Sequence, residues 1–188
     1  MIKANRHRIF NTLFLVSSML FCLSVNADII SKVQDPKSTL PSPKVKNMLF
    51  YLQRDPDANT VIYELNYKAD GKLNTNNPVK GSWIRYNENG QRKGLNAIEN
   101  KFAYGIQSKP MGNGDYQLLL VSYKKMPLYL KKSANTYKVH AMFNKIPVIL
   151  TRIFVRVNGG SFFIPDIEYI ELKGNDMTGK ELSHKIII

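Results

Sequence analysis

From residue 47 to its end this chain repeats apolar side chains at every second position, in short runs broken by Gly, Asn, Asp and Pro. That period belongs to strands with one face buried, and it excludes a helical bundle. Residues 60–68 show it cleanly, with Val61, Tyr63, Leu65 and Tyr67 in one phase and Ile62, Glu64, Asn66 and Lys68 in the other. Further strands are expected over 48–54, 79–86, 115–123, 127–132, 136–143, 147–157, 162–164 and 167–173. Asn89-Gly90 is a strong tight-turn pair. Asp70-Gly71, Asn77-Pro78, Gly112-Asn113-Gly114, Asn158-Gly159-Gly160 and Gly174-Asn175 punctuate the remainder. The spacing predicts a mainly β fold, an antiparallel barrel or sandwich of about eight strands. One segment departs from it. Over 92–104 the apolar residues Leu95, Ile98 and Phe102 recur at three and four, which predicts one helix inserted after the third strand. Gly105 is expected to end it in the left-handed conformation.

Three segments divide the chain. Residues 1–27 read as a signal peptide: Lys3, Arg6 and Arg8 precede an apolar run over 9–25, and Val25-Asn26-Ala27 ends in a small-residue cleavage pattern. Residues 28–46 carry Pro36, Pro41 and Pro43 and no period, as an extended tether would. Residues 47–188 form a single β domain. The only cysteine, Cys22, lies in the first segment, so the mature chain is expected to have no thiol for disulfides, metal or catalysis. Phe21 before it argues against lipidation, and Asn11, Thr12, Ser17 and Ser18 interrupt a run already short for a membrane span, so no span is expected after signal cleavage. The expected location is outside the cytosol, in a periplasm or beyond the cell.

Charge narrows the partners. Without Lys3, Arg6 and Arg8 the 27 basic residues fall to 24 against 14 acidic ones, a net charge of +10. Outside the cytosol the polyanions at hand are lipid headgroups, glycans and wall polymers, so nucleic acid is not the expected partner.

The pieces Asn77-Pro78-Val79, Trp83-Ile84-Arg85-Tyr86, Gly90-Gln91-Arg92 and Phe102-Ala103-Tyr104-Gly105 taken together resemble a family of exported bacterial proteins known as a domain of unknown function. The resemblance covers most of the chain from about residue 47. It implies export, and it brings no activity or catalytic residue with it.

Catalytic chemistry finds little support. His140 and His184 are the histidines left in the mature chain, and His140 falls in the less apolar phase beside Lys138. No Gly-x-Ser-x-Gly stretch accompanies them. Without cysteine or His-x-x-x-His they make no zinc signature, and Asp166, Glu168 and Asn175-Asp176 lack the spacing of a calcium loop. Gly112-x-Gly114 has no lysine and helix after it to cradle a phosphate. No metal, cofactor or catalytic residue is therefore assigned. Paired carboxylates leave little mark in a sequence, and Glu64, Glu99, Glu168 and Glu171 stay open for an envelope hydrolase.

The feature that stands out is arginine beside aromatic. Over 147–157 one phase carries Val148, Leu150, Arg152, Phe154 and Arg156, and the other Ile149, Thr151, Ile153, Val155 and Val157. Trp83 and Arg85 likewise share a face, next to Tyr86. A guanidinium beside a ring can hold a carboxylate, phosphate or sugar acid. It can equally lie on an outer sheet face and pair with Glu168 or Asp166 across strands. The first function expected is a non-enzymatic binding module for an anionic or amphipathic envelope ligand, with Arg85, Arg152 and Arg156 on the anion and Trp83, Tyr86 and Phe154 giving contact surface. The alternatives are the hydrolase and a protein-interaction domain.

Overall fold

A computed structural model of the protein describes residues 40–55, 57–134, 136–161 and 164–188. The expected signal peptide and most of the tether lie outside them, as do Phe162 and Phe163. Among the described residues no helix is long and apolar enough to cross a membrane.

Among the described residues eleven strands form one mixed sheet: β1 (Met48–Asp55), β2 (Asp57–Leu65), β3 (Val79–Arg85), β4 (Gln91–Gly94), β5 (Ile106–Gly112), β6 (Asp115–Leu120), β7 (Tyr123–Ser133), β8 (Thr136–Phe143), β9 (Ile146–Gly160), β10 (Pro165–Asn175) and β11 (Glu181–Ile187). The mainly β expectation holds, but the strands are more numerous than about eight and not all antiparallel. β1 runs parallel to β9, Tyr51 opposite Arg152 and Asp55 opposite Arg156, across a separation of about a hundred residues that no local pattern announces.

β9 is the axis of the molecule. Its first residues, Ile146 to Ile149, pair with β8, its later ones, Arg152 to Arg156, pair with β1, and β10 follows its other edge. Two arms therefore diverge from one long strand, β1-β2-β3-β4 and β8-β7-β6-β5. They curl toward each other until β3 meets β5. Phe50, Val61, Tyr63, Leu118, Leu128, Leu130, Val139 and Leu150 fill the space between them without solvent exposure.

The handover from β8 to β1 requires a bulge, and the register of β9 against β10 slips by one residue there, between Lys173 and Gly174. Val148 and Leu150 face the core before it, Ile153 and Val155 after it. The continuous alternation expected over 147–157 thus breaks at Thr151, since one extra residue exchanges the two faces. Thr151 Oγ1 donates to the Lys173 carbonyl at that point. Gly174 makes the crossing possible: a Cβ there would lie 2.5 Å from the Ile149 carbonyl oxygen.

The predicted helix is shorter than its pattern. Arg92 to Gly94 belong to β4, and helical backbone covers only 97–103, its last turn widened so that Tyr104 N–H reaches the Glu99 carbonyl. Asn96 and Glu99 start it as a capping box, each side chain accepting from the other's backbone N–H at 2.8 Å. Gly105 follows, but with no left-handed φ; it is needed because the Asn100 carbonyl lies where a Cβ would be. Asn89 and Gly90, at φ 55 and 75, do form the expected turn into β4. From Leu40 the chain lies on the outer sheet face, where Gln53 Nε2 donates to the Pro41 carbonyl at 2.7 Å.

Candidate functional site

Between the two arms, beside the open ends of β1 and β9, the core gives way to a cavity of about 450 Å³. Leu52, Ile153, Val155 and Ile170 form one wall, Leu120 and Met126 the facing one, and Ala103 with Tyr104 the end. Alternation explains the first wall: Leu52 is in phase with Phe50, and Ile153 and Val155 turn inward only because of the bulge at Thr151. The helical turn supplies the end wall, held there by the Tyr63 hydroxyl donating to the Tyr104 carbonyl at 2.8 Å. Burial pushes the Tyr63 phenol far above its ordinary range, so this donor keeps its proton.

One charged side chain enters this lining, Arg54. It continues the inward phase of Phe50 and Leu52, and its backbone partner on β9 is Val155. Among the described residues the Arg54 side chain has neither a hydrogen bond nor an ion pair, although Asp57 lies opposite it across the β1-β2 pair. Its field reaches the Tyr104 phenol: burial pushes that phenol up, Arg54 pulls it down, Glu99 and Asp57 push it up and Arg85 pulls it down. The site is a mainly apolar cavity with one half-buried guanidinium that no carboxylate bonds, which can accept an anion on an apolar body.

The six residues singled out by sequence lie elsewhere, in separate groups. Trp83 is buried in the core, edge-on to Tyr104 at 4.8 Å. Arg85 lies over the Trp83 ring at 4.7 Å and 3.8 Å from Glu99. Tyr86 opens a single 3₁₀ turn, and burial, with Tyr51 nearby, raises its phenol. Arg152, Phe154 and Arg156 share the opposite, outer face of β9. There Arg156 pairs with Asp55 and lies 3.7 Å from Glu168, the cross-strand pairing that alternation allowed. Arg152 is buried, 5.2 Å from the centre of the Phe154 ring, and among the described residues its Nε and Nη2 find no hydrogen-bond partner. The sheet therefore separates Trp83 and Arg85 from Arg152, Phe154 and Arg156.

The carboxylates left open for hydrolysis are also dispersed. Glu64, on the outer face, is bound by Arg92; Glu99, by the helical turn, caps Asn96 and faces Arg85; Glu168 faces Arg156. His140 lies in the outer phase, as its alternation indicated, and burial together with Lys131 and Lys138 lowers its pKa from 6.5.

Arg54 escaped sequence reasoning because 48–54 looked only aromatic-rich. The signal was present: in Phe50-Tyr51-Leu52-Gln53-Arg54 the arginine keeps the phase of the two apolar residues, a cation on the side destined for the interior.

No curated protein and no solved structure matches the chain. Residues 50–185 match the family model of a domain of unknown function (DUF4833), which spans every strand that builds the cavity. The chain belongs to the DUF4833 family.

Proposed function

We propose that the protein is a non-enzymatic carrier or receptor for an anionic amphiphile, whose apolar chain fills the cavity between the arms and whose head group meets Arg54. One observation carries this reading: an unpaired guanidinium at an otherwise apolar cavity. A half-buried guanidinium with no bonded acceptor is costly, and an incoming carboxylate or phosphate would supply two parallel N–H···O bonds. The volume falls within the range of about 300–1,000 Å³ typical of small-ligand sites. Each methylene taken from water into such a lining contributes about 0.8 kcal/mol, so the chain supplies affinity and the head group orientation. Export, expected from the first 27 residues, would make envelope lipids and their breakdown products the accessible ligands.

The test is a fluorescence titration with dansylundecanoic acid and with the corresponding alcohol. The protein should bind the acid more tightly. Arg54→Met should weaken the acid about tenfold, the worth of one charge-assisted hydrogen-bonded pair, and leave the alcohol unchanged. Equal loss for both probes would contradict a head group held by Arg54.

A further inference from the structure

The mouth of the cavity also carries apolar side chains exposed to water. Phe102 is 59 % exposed and Ile164 is 79 % exposed, and both line the cavity from separate elements, the helical turn and the approach to β10. Single protruding side chains around an opening differ from a flat patch built for another protein: they can enter the headgroup layer of a bilayer one by one.

The charge beside them has the matching sign. Lys101 Nζ lies 5.1 Å from the Phe102 ring centre. Lys124 and Lys125 are exposed between Tyr123 and Met126, both of which line the cavity. Arg54 adds a fourth cation. Three acids lie near this rim: Asp57, opposite Arg54 across the β1-β2 pair, Glu99, engaged by Asn96 N–H and facing Arg85, and Asp166, which falls between the lining residues Pro165 and Ile167 and takes the opposite phase.

We infer that the rim around Phe102 and Ile164, with Lys101, Lys124 and Lys125, docks on an anionic membrane surface, so that the amphiphile passes between bilayer and cavity without crossing water. This rests on the cavity reading above, and it adds the partner. Apolar insertion and attraction to anionic headgroups each bind weakly alone and strongly together, which is the combination found here. A lipid emerging chain-first from the bilayer would meet the apolar walls first and Arg54 with its head group.

Co-sedimentation with vesicles of phosphatidylcholine, with and without phosphatidylglycerol and at low and high salt, tests the docking. The full chain should pellet with the anionic vesicles only, and less at high salt. Lys101→Glu and the Lys124→Glu, Lys125→Glu pair should each lose about tenfold in vesicle binding and still saturate with the dansyl probe. Vesicle binding unchanged in both variants, or no binding at all by a protein that takes up the probe, would overturn the docking and leave the cavity reading standing. Rim-dependent vesicle binding by a protein that never takes up the probe would support the docking and sink the cavity reading instead. A dimer in sedimentation velocity that Ile164→Ser dissociates, with no vesicle binding, would make the rim an interface between copies and overturn the inference.

Discussion

Gly105→Ala is expected to leave little folded protein at room temperature. The new Cβ would lie 1.8 Å from the Asn100 carbonyl oxygen and 2.8 Å from its carbon. Neither side can retreat cheaply. The helical turn is fixed by the Asn100 N–H bond to Asn96 and the Tyr104 N–H bond to Glu99, while the Gly105 carbonyl accepts from Val121 N–H at 3.0 Å and so ties the turn to the end of β6. Relief would mean breaking that join or unwinding the turn, and with it the end wall of the cavity. We expect a loss above about 4 kcal/mol, a large share of the roughly 5–15 kcal/mol that holds a domain together. Gly94→Ala is the matched control, since its Cβ meets nothing within 4 Å, and it should stay within about 0.5 kcal/mol of the parent. Urea unfolding followed by circular dichroism reads both. A Gly105→Ala protein as stable as the parent would contradict the close packing of this turn.

Arg156→Leu should have the next largest effect, as a loss of stability. Arg156 and Asp55 face each other across the parallel β1-β9 pair, and the Asp55 side chain is only 12 % exposed. Removing the arginine leaves a nearly buried carboxylate with no counter-charge, which costs about 3 kcal/mol in comparable pairs. Asp55→Asn combined with Arg156→Leu should recover part of that loss, because the stranded charge is then gone. Urea midpoints of the parent, Arg156→Leu, Asp55→Asn and the double variant close the cycle. If Arg156→Leu unfolds like the parent, the pair adds nothing to the join between β1 and β9.

Much of this fold was legible in the sequence, and the exceptions have physical causes. Period-two alternation identified the cores of β1, β2, β3, β6, β7, β8, β9 and β10, because each has one face on the core. β4 and β11 were missed because they are edge strands with few buried residues, and Gln91 to Gly94 are exposed throughout. β5 carries Pro110 and buries almost nothing, so it has no apolar phase to read. The bulge at Thr151 left no mark on its own strand; the trace was Gly174 across the ladder, which looked like an ordinary turn glycine. That one residue decides which way Arg152, Phe154 and Arg156 face, and hence their separation from Trp83 and Arg85. The parallel pairing of β1 with β9 is non-local and lies beyond any windowed pattern.

The candidate site depends on the same two features. Its first wall exists because β1 lies beside β9 and because the bulge turns Ile153 and Val155 inward. Neither is written locally, so the aromatic and basic pairs that a linear reading favours lie outside this cavity lining, while Arg54 was visible only as a cation in an apolar phase.

For an amphiphile in the space between the arms, the molecule contains its own reporter. Trp83 is the only tryptophan, buried edge-on to Tyr104, which lines the cavity. Titration with a fatty acid brominated along its chain should quench Trp83 fluorescence saturably, at one equivalent, while the unbrominated acid competes it away. Tryptophan emission that stays unquenched, or that falls linearly without saturation, would contradict the account.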